Sequence, residues 1–207
     1  MTFQRSVARN FPVGFPGEIV RDGPTRAIAA RVATSSKAGT PRFVGNRVGH
    51  VFGYVGEVPV SGKTQAALVS TVEVGGANYA GIFIHPKHHV LQGTIAGGPL
   101  AASLDVPDAT EIEVANMVTG LVVQIYNHTK AVKTIVAGDD LYYVSTATTD
   151  LEDDLILPLG AIISVAKGGA APAGFTKING QVMNSISLVA SAVGAVVAGL
   201  TIIQTVQ

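Results

Sequence analysis

The sequence predicts a mainly β protein, a barrel-like or sandwich body of short antiparallel strands with an extended N-terminal arm. Three observations predict it. From residue 50 onward, short runs of β-branched and aromatic residues recur with Gly, Pro, Asp or Asn at their ends, which is the punctuation of strands joined by tight turns. The 207 residues include 24 Gly and 10 Pro but no Trp, a composition suited to many turns between short strands. Residues 1–49 show no sustained period of 2 or 3.6, which makes that stretch an arm and residues 50–207 the body.

The densest strand signal lies between Leu104 and Val144. Glu111-Ile-Glu-Val alternates polar and apolar, Leu121 to Tyr126 is β-branched and aromatic, and a further run spans Val136 to Val144. They read as consecutive short strands. Upstream, Arg47–Val55 is a strand with interior glycines, and the second half of Ala66–Val74 is another. Downstream comes Leu159–Ala166, then an apolar run from Leu188 to Ile203 with no charge after Lys177. Buried strands around a glycine turn account for that last run, since its 16 residues fall short of the ~20 of a membrane helix. Ala190, Gly194 and Ala198 have the small-residue spacing of packed membrane helices, so a membrane-associated protein anchored by this segment stands as an alternative.

Within the arm, Asn10–Gly17 and Asp22–Thr25 are turn-makers, and Ala33–Pro41 has loop composition. Phe3, Phe11, Phe15 and Ile19 are placed to anchor it on a partner or on its own body. Net charge is zero overall but segregated: up to His50 eight basic residues face only Glu18 and Asp22, so that part carries +6 and the remainder −6. Nearly all the early charge is arginine, whose planar fork pairs bidentately with carboxylate or phosphate. The residues expected to contact a partner or a neighbouring subunit are Arg5, Arg9, Phe11, Phe15, Arg21, Arg26, Arg31, Arg42 and Arg47.

Hydrophobic residues make up 47% and charged residues 14%, with a mean hydropathy of +0.40. An average globular domain is roughly 25% charged, so much of this surface is expected to be covered by other subunits. The absence of Cys excludes a disulfide framework and thiolate metal sites and permits folding in a reducing cytoplasm. The amino terminus lacks the basic-then-apolar order of a signal peptide.

Three motifs invite chemistry and fail on spacing. Gly56–Thr64 ends in Gly-Lys-Thr, yet five residues separate Gly56 from Gly62, and the position a phosphate loop requires for its first glycine is Glu57. His85, His88 and His89 are metal-ligand types, but adjacent His88 and His89 point opposite ways on a strand and Pro86 breaks any helix that would align His85 with His89. Asp150, Glu152, Asp153 and Asp154 lack the spacing and glycine of a calcium loop. No catalytic set, cofactor site or metal site is expected, and the protein reads as a non-enzyme. A nucleic-acid binder would need a basic-aromatic module, whereas the body is acidic.

Ala80-Gly-Ile-Phe-Ile-His-Pro-Lys-His88, Gln92-Gly-Thr-Ile-Ala-Gly-Gly-Pro-Leu100, Leu104-Asp-Val-Pro-Asp108, the Gly120-Leu-Val-Val run and Gly17-Glu-Ile-Val-Arg-Asp-Gly-Pro-Thr-Arg26 together resemble the structural cement proteins of tailed bacteriophages. The resemblance spans the arm and much of the body, and its motifs are backbone-shaping Gly and Pro patterns. The three histidines around Pro86 depart from the family's pattern and leave that surface's role open. The resemblance implies a capsid decoration protein made in the host cytoplasm. Its partners would be the major capsid protein on the outer capsid surface and other copies of itself, a trimer ahead of a dimer, with neither nucleic acid nor membrane. A tail or baseplate structural protein is the second reading.

Overall fold

The longest run of strand-forming sequence becomes the longest element. Sixteen residues, Glu111–Tyr126, form β5, and every other strand of the body is placed by its relation to it. The structure is a computed structural model that describes residues 14, 16–21, 23–33, 48–59, 68–84, 106, 109–145, 155, 157–170, 172–191 and 196–206. Among these there is no helix. His85, His88, His89, Lys63 and Asp150 lie outside the described residues, as do Arg5, Arg9, Phe11, Phe15, Arg42 and Arg47.

In chain order the strands are β1 (Arg26–Val32), β2 (Val51–Pro59), β3 (Leu68–Val74), β4 (Tyr79–Phe83), β5, β6 (Lys133–Ile135), β7 (Asp140–Val144), β8 (Ile162–Val165), β9 (Phe175–Val182), β10 (Ile186–Leu188) and β11 (Ala198–Thr205). Neighbour follows neighbour in the order β1-β3-β2-β4-β5, and β1 pairs back onto β5, which closes a five-stranded barrel. From β5 the order continues β11-β9-β7-β8, and a single parallel pair, Ile125 with Ile162, brings β8 back to β5. The second ring therefore shares β5 with the first. Closure satisfies strand edges that would otherwise invite pairing with another chain.

One strand serves two interiors by lending a face to each, and its register is broken twice along the way. Opposite β1 the pairing jumps from Arg26–Met117 to Ala27–Ala115, leaving Asn116 as an extra residue. Opposite β11 it jumps from Ile203–Leu121 to Gln204–Thr119, leaving Gly120 as another, with φ of 81°. The two one-residue shifts cancel, so Ala115 and Leu121 lie on one face and Ile112 and Val114 on the other, with Val118 brought onto the Ala115 face between the bulges. Ile112 and Val114 pack with Ala30, Phe52, Val72 and Phe83 inside the first barrel. Val118, Leu121, Val123 and Ile125 pack with Leu141, Ile162, Ile178 and Ile203 inside the second. Phe52 and Phe83 meet edge to face with centroids 5.8 Å apart, a favoured geometry for buried rings.

The structure departs from the sequence reading in three places. The runs around Glu111 and Leu121 are one strand rather than two, because Gly120 bulges within the ladder where a chain break was expected. Two pairings, β1 with β3 and β5 with β8, are parallel. Part of the stretch read as arm is built into the body: Arg26–Val32 is β1, and Gly17, Glu18 and Val20 hydrogen-bond to Gly120 and Val122 of β5. Arg26-Ala-Ile-Ala-Ala-Arg-Val is alanine-rich and exposed over much of its length, so its strand is imposed by a partner's ladder rather than by its own pattern.

The apolar C-terminal run contributes Leu188 to β10 and its last residues to β11, which is half-buried rather than buried, and among the described residues no helix is long and apolar enough to cross a membrane.

Two glycines of β2 make opposite demands. A Cβ on Gly53 would lie 2.3 Å from the Gly76 carbonyl oxygen, a backbone atom that cannot swing aside, whereas a Cβ on Gly56 would meet nothing within 4 Å. Gly53→Ala should therefore destabilise by about 2 to 4 kcal/mol through overpacking. Gly56→Ala should fall within about 0.5 kcal/mol of wild type or gain slightly. Urea denaturation of the two variants checks the contrast.

Candidate interaction surface

β6 and β10 pair antiparallel as a small two-stranded ribbon, with Ile186 opposite Ile135, Ser187 opposite Thr134 and Leu188 opposite Lys133. Side chains alternate faces along a strand, and burial follows that rule. Ile135 and Leu188 are buried in the core of the second barrel and Ile186 packs against it. The ribbon sits so close to β11 that a Cβ on Gly199 would be 2.4 Å from Leu188 Cδ2.

The other face carries Thr134 and Ser187, both exposed, and the flanking residues continue it. Val132 is 69% exposed, Val189 65% and Val136 51%, and the same register carried one residue further sets Val189 opposite Val132 and Ser185 opposite Val136. None of these six side chains is charged. A β-branched, uncharged face left open to solvent is what an interaction site presents, whereas single scattered apolar residues carry no such meaning.

Buried polar groups hold the ribbon in place. Asn127, fully buried, donates from Nδ2 to the Ala131 and Val189 carbonyls, 2.8 Å each, and accepts at Oδ1 from Thr129 N and Oγ1. Its backbone N–H donates to Val197 O at 2.8 Å, and its carbonyl accepts from Ser191 Oγ at 3.0 Å. One amide thus joins the ends of β5, β6, β10 and β11. At the other end of the ribbon, Asn184 Oδ1 accepts from Thr201 Oγ1 and Ile202 N at 2.7 and 2.6 Å. Asp139 Oδ2 accepts from Val136 N at 3.0 Å, closing the turn after β6.

On the inner side, Lys133 Nζ donates to the Ser164 carbonyl of β8 and lies 3.1 Å from His128 Nδ1. Burial lowers the His128 pKa to about 4, with the Lys133 charge adding to the effect. Burial likewise lowers Lys133 to about 8, partly opposed by the Asp139 carboxylate. On the far edge of the second barrel, the exposed pair Lys177–Asp140 at 3.0 Å also receives Gly168 N. That backbone N–H, with Lys177 after it, holds the Asp140 carboxyl below its usual range. Among the described residues no group of three His, Cys, Asp or Glu side chains is placed to hold a metal ion.

Of the nine residues expected to make contacts, three are described. Arg26 Nε donates to Asn116 Oδ1 at 2.8 Å, pinning the first bulge of β5. Arg31 Nε donates to the carbonyl of Ala109 at 3.2 Å, where the chain takes a positive φ of 63° before entering β5. Arg21 lies over Gly120, where an added Cβ would come within 2.5 Å of it. All three sit along β5 and not on the ribbon. The sequence reading did not single out the ribbon, because three-residue strands are too short to show a period. Its one legible trace is the spacing of Val132, Thr134 and Val136.

No protein-family model and no curated protein matches the chain. Among solved structures, a chain from "The capsid of Myoviridae Phage XM1" aligns over 99% of this chain and 97% of its own length, at 13% identity and a TM-score of 0.49.

Asn127→Ala should take the partner from the Val189 carbonyl and the Thr129 N–H, leaving Thr129 Oγ1 and the Ala131 carbonyl only their mutual 3.4 Å contact. A loss of at least about 3 kcal/mol is expected, read as a shift of the urea midpoint.

Proposed function

We propose that the protein is a structural component of a bacteriophage virion that decorates the outer capsid surface and stabilises the shell by binding the major capsid protein and other copies of itself. The observation that carries this reading is the uncharged ribbon face with Val132, Val136 and Val189 open to solvent. The low charge content of the chain and the resemblance of its Gly and Pro patterns to phage cement proteins support it.

The mechanism is additive binding. Burying an exposed valine contributes about 1.5 to 3 kcal/mol at full burial, so three at one contact contribute a few kcal/mol before the costs of association. Such a contact is weak alone. Repeated over a symmetric lattice, with several contacts per oligomer, it becomes durable through effective concentration. Arginines of residues 1–49 would add charge-assisted bonds to acidic groups of the shell, of about 1.5 to 3 kcal/mol where desolvated and under about 1 where exposed. A trimer is the favoured oligomer on the family analogy.

The two contributions differ in salt dependence, since apolar burial persists at high salt while exposed charge pairs fade. The variant V132E/V189E should keep the melting temperature of wild type within a few degrees and lose at least about tenfold in attachment to undecorated particles. Co-sedimentation with such particles reads the loss, and undiminished attachment would move the contact elsewhere. Deleting residues 1–13 should instead weaken attachment mainly at low salt. The deletion stops there because removal through residue 49 would also take β1 out of the first barrel.

A further inference from the structure

The ribbon that bears the exposed valines is fastened beneath by an unusual contact. Lys133, on its inner face, places an ammonium 3.1 Å from His128 Nδ1 and against the Ser164 carbonyl. An ammonium only donates, so Nδ1 must carry a lone pair, and His128 is the neutral tautomer with its proton on Nε2. The surroundings offer little to replace that arrangement. β8 presents Ser164, whose hydroxyl oxygen is also buried without a hydrogen bond. β9 presents the Phe175 ring, 6.3 Å from the imidazole, and β10 presents Leu188 in register with Lys133. The charged groups nearby are Asp139, which favours the Lys133 ammonium, and Lys130 on the loop that carries His128.

We propose that this contact is an acid-released clasp: a proton added at His128 Nδ1 turns the hydrogen bond from Lys133 into repulsion between two cations and lifts the β6–β10 ribbon from the second barrel. Protonation takes away the only acceptor that His128 offers and leaves two partly buried positive groups facing each other. Asp139 offsets part of the repulsion, but its Oδ2 already accepts from Val136 N. The barrels do not depend on the clasp, since their strands are held by their own ladders. Opening the ribbon would expose Ile135 and Leu188, now buried.

The direction of the pH effect follows from linkage. The His128 pKa in the folded chain, about 4, lies below its ordinary 6.5, so the opened or unfolded chain binds the proton more readily. The clasp is therefore fully closed above about pH 6.5, weakens as pH falls through that value, and reaches its full loss below about pH 4. The opening constant should rise by roughly two orders of magnitude across that window.

Hydrogen exchange of the full-length protein from pH 7 to 3.5, corrected for intrinsic rates, tests the proposal. Amides of residues 133–135 and 186–188 should lose protection between about pH 6 and 4 while those of 112–126 keep theirs. His128→Gln, which keeps an acceptor but cannot be protonated there, should hold the ribbon's protection to lower pH. That variant also separates the clasp from titration of Asp139. Lys133→Met removes the second cation and should shift the ribbon's midpoint to lower pH, leaving the part that burial of the imidazole imposes; it serves alone if the glutamine variant does not fold. Ribbon and β5 amides losing protection together in the wild type would overturn the proposal. So would an unchanged ribbon midpoint in whichever variant folds.

Discussion

β5 has to face two interiors in turn, and the rest of the structure depends on how it does so. Side chains alternate between its two sides, and each side lines a different interior. Ile112 and Val114 face the first barrel and Ala115, Leu121, Val123 and Ile125 the second, and the extra residues at Asn116 and Gly120 bring Val118 onto the second face between them. Both bulges are held from outside the strand. Arg26 bonds the Asn116 side chain, and Arg21 lies over Gly120. Residues that precede β2 in the chain thereby brace the central strand of the body.

With β5 shared, the two barrels come within backbone contact of each other. The Val51 N–H of the first barrel donates to the Gly160 carbonyl of the second, flanked by Gly75 N to Val51 O within the first and Gly160 N to Val144 O within the second, all at 2.9 Å. Side chains at Gly75 and Gly160 would strike those same backbones at 2.6 to 2.9 Å, and both glycines have positive φ. Tyr143 of the second barrel donates to the Gly76 carbonyl of the first at 2.8 Å. His50 bonds Leu159 O through Nδ1 and faces the Tyr126 hydroxyl through Nε2. These bonds satisfy polar groups that the close approach has shut off from water.

The ribbon is held differently from the barrels. Its inner face is apolar apart from Lys133, and its polar ties run through a few side chains, Asn127 and Asn184 foremost. Few ladder bonds and a short length place it at the low end of local stability. The exposed valines thus sit on a short ribbon with few ladder bonds, which suits a surface that adjusts to a partner.

From the sequence by itself came the β class, the turn positions and the absence of a spaced catalytic motif, because propensity and turn chemistry are local properties. The strands β2, β3, β7 and β8 were legible for the same reason: Val, Ile and Tyr bounded by Gly and Asp identify themselves. The charge segregation was legible too, but not the bonds that Arg26 and Arg31 make to Asn116 and Ala109, on partners about 80 to 90 residues away along the chain. Only the tertiary structure made β1 a strand, joined two expected strands into β5, closed two rings on it and placed Val132 beside Val189. Each of those outcomes is a pairing between distant segments, and pairing energy depends on register and burial that no local window of residues contains.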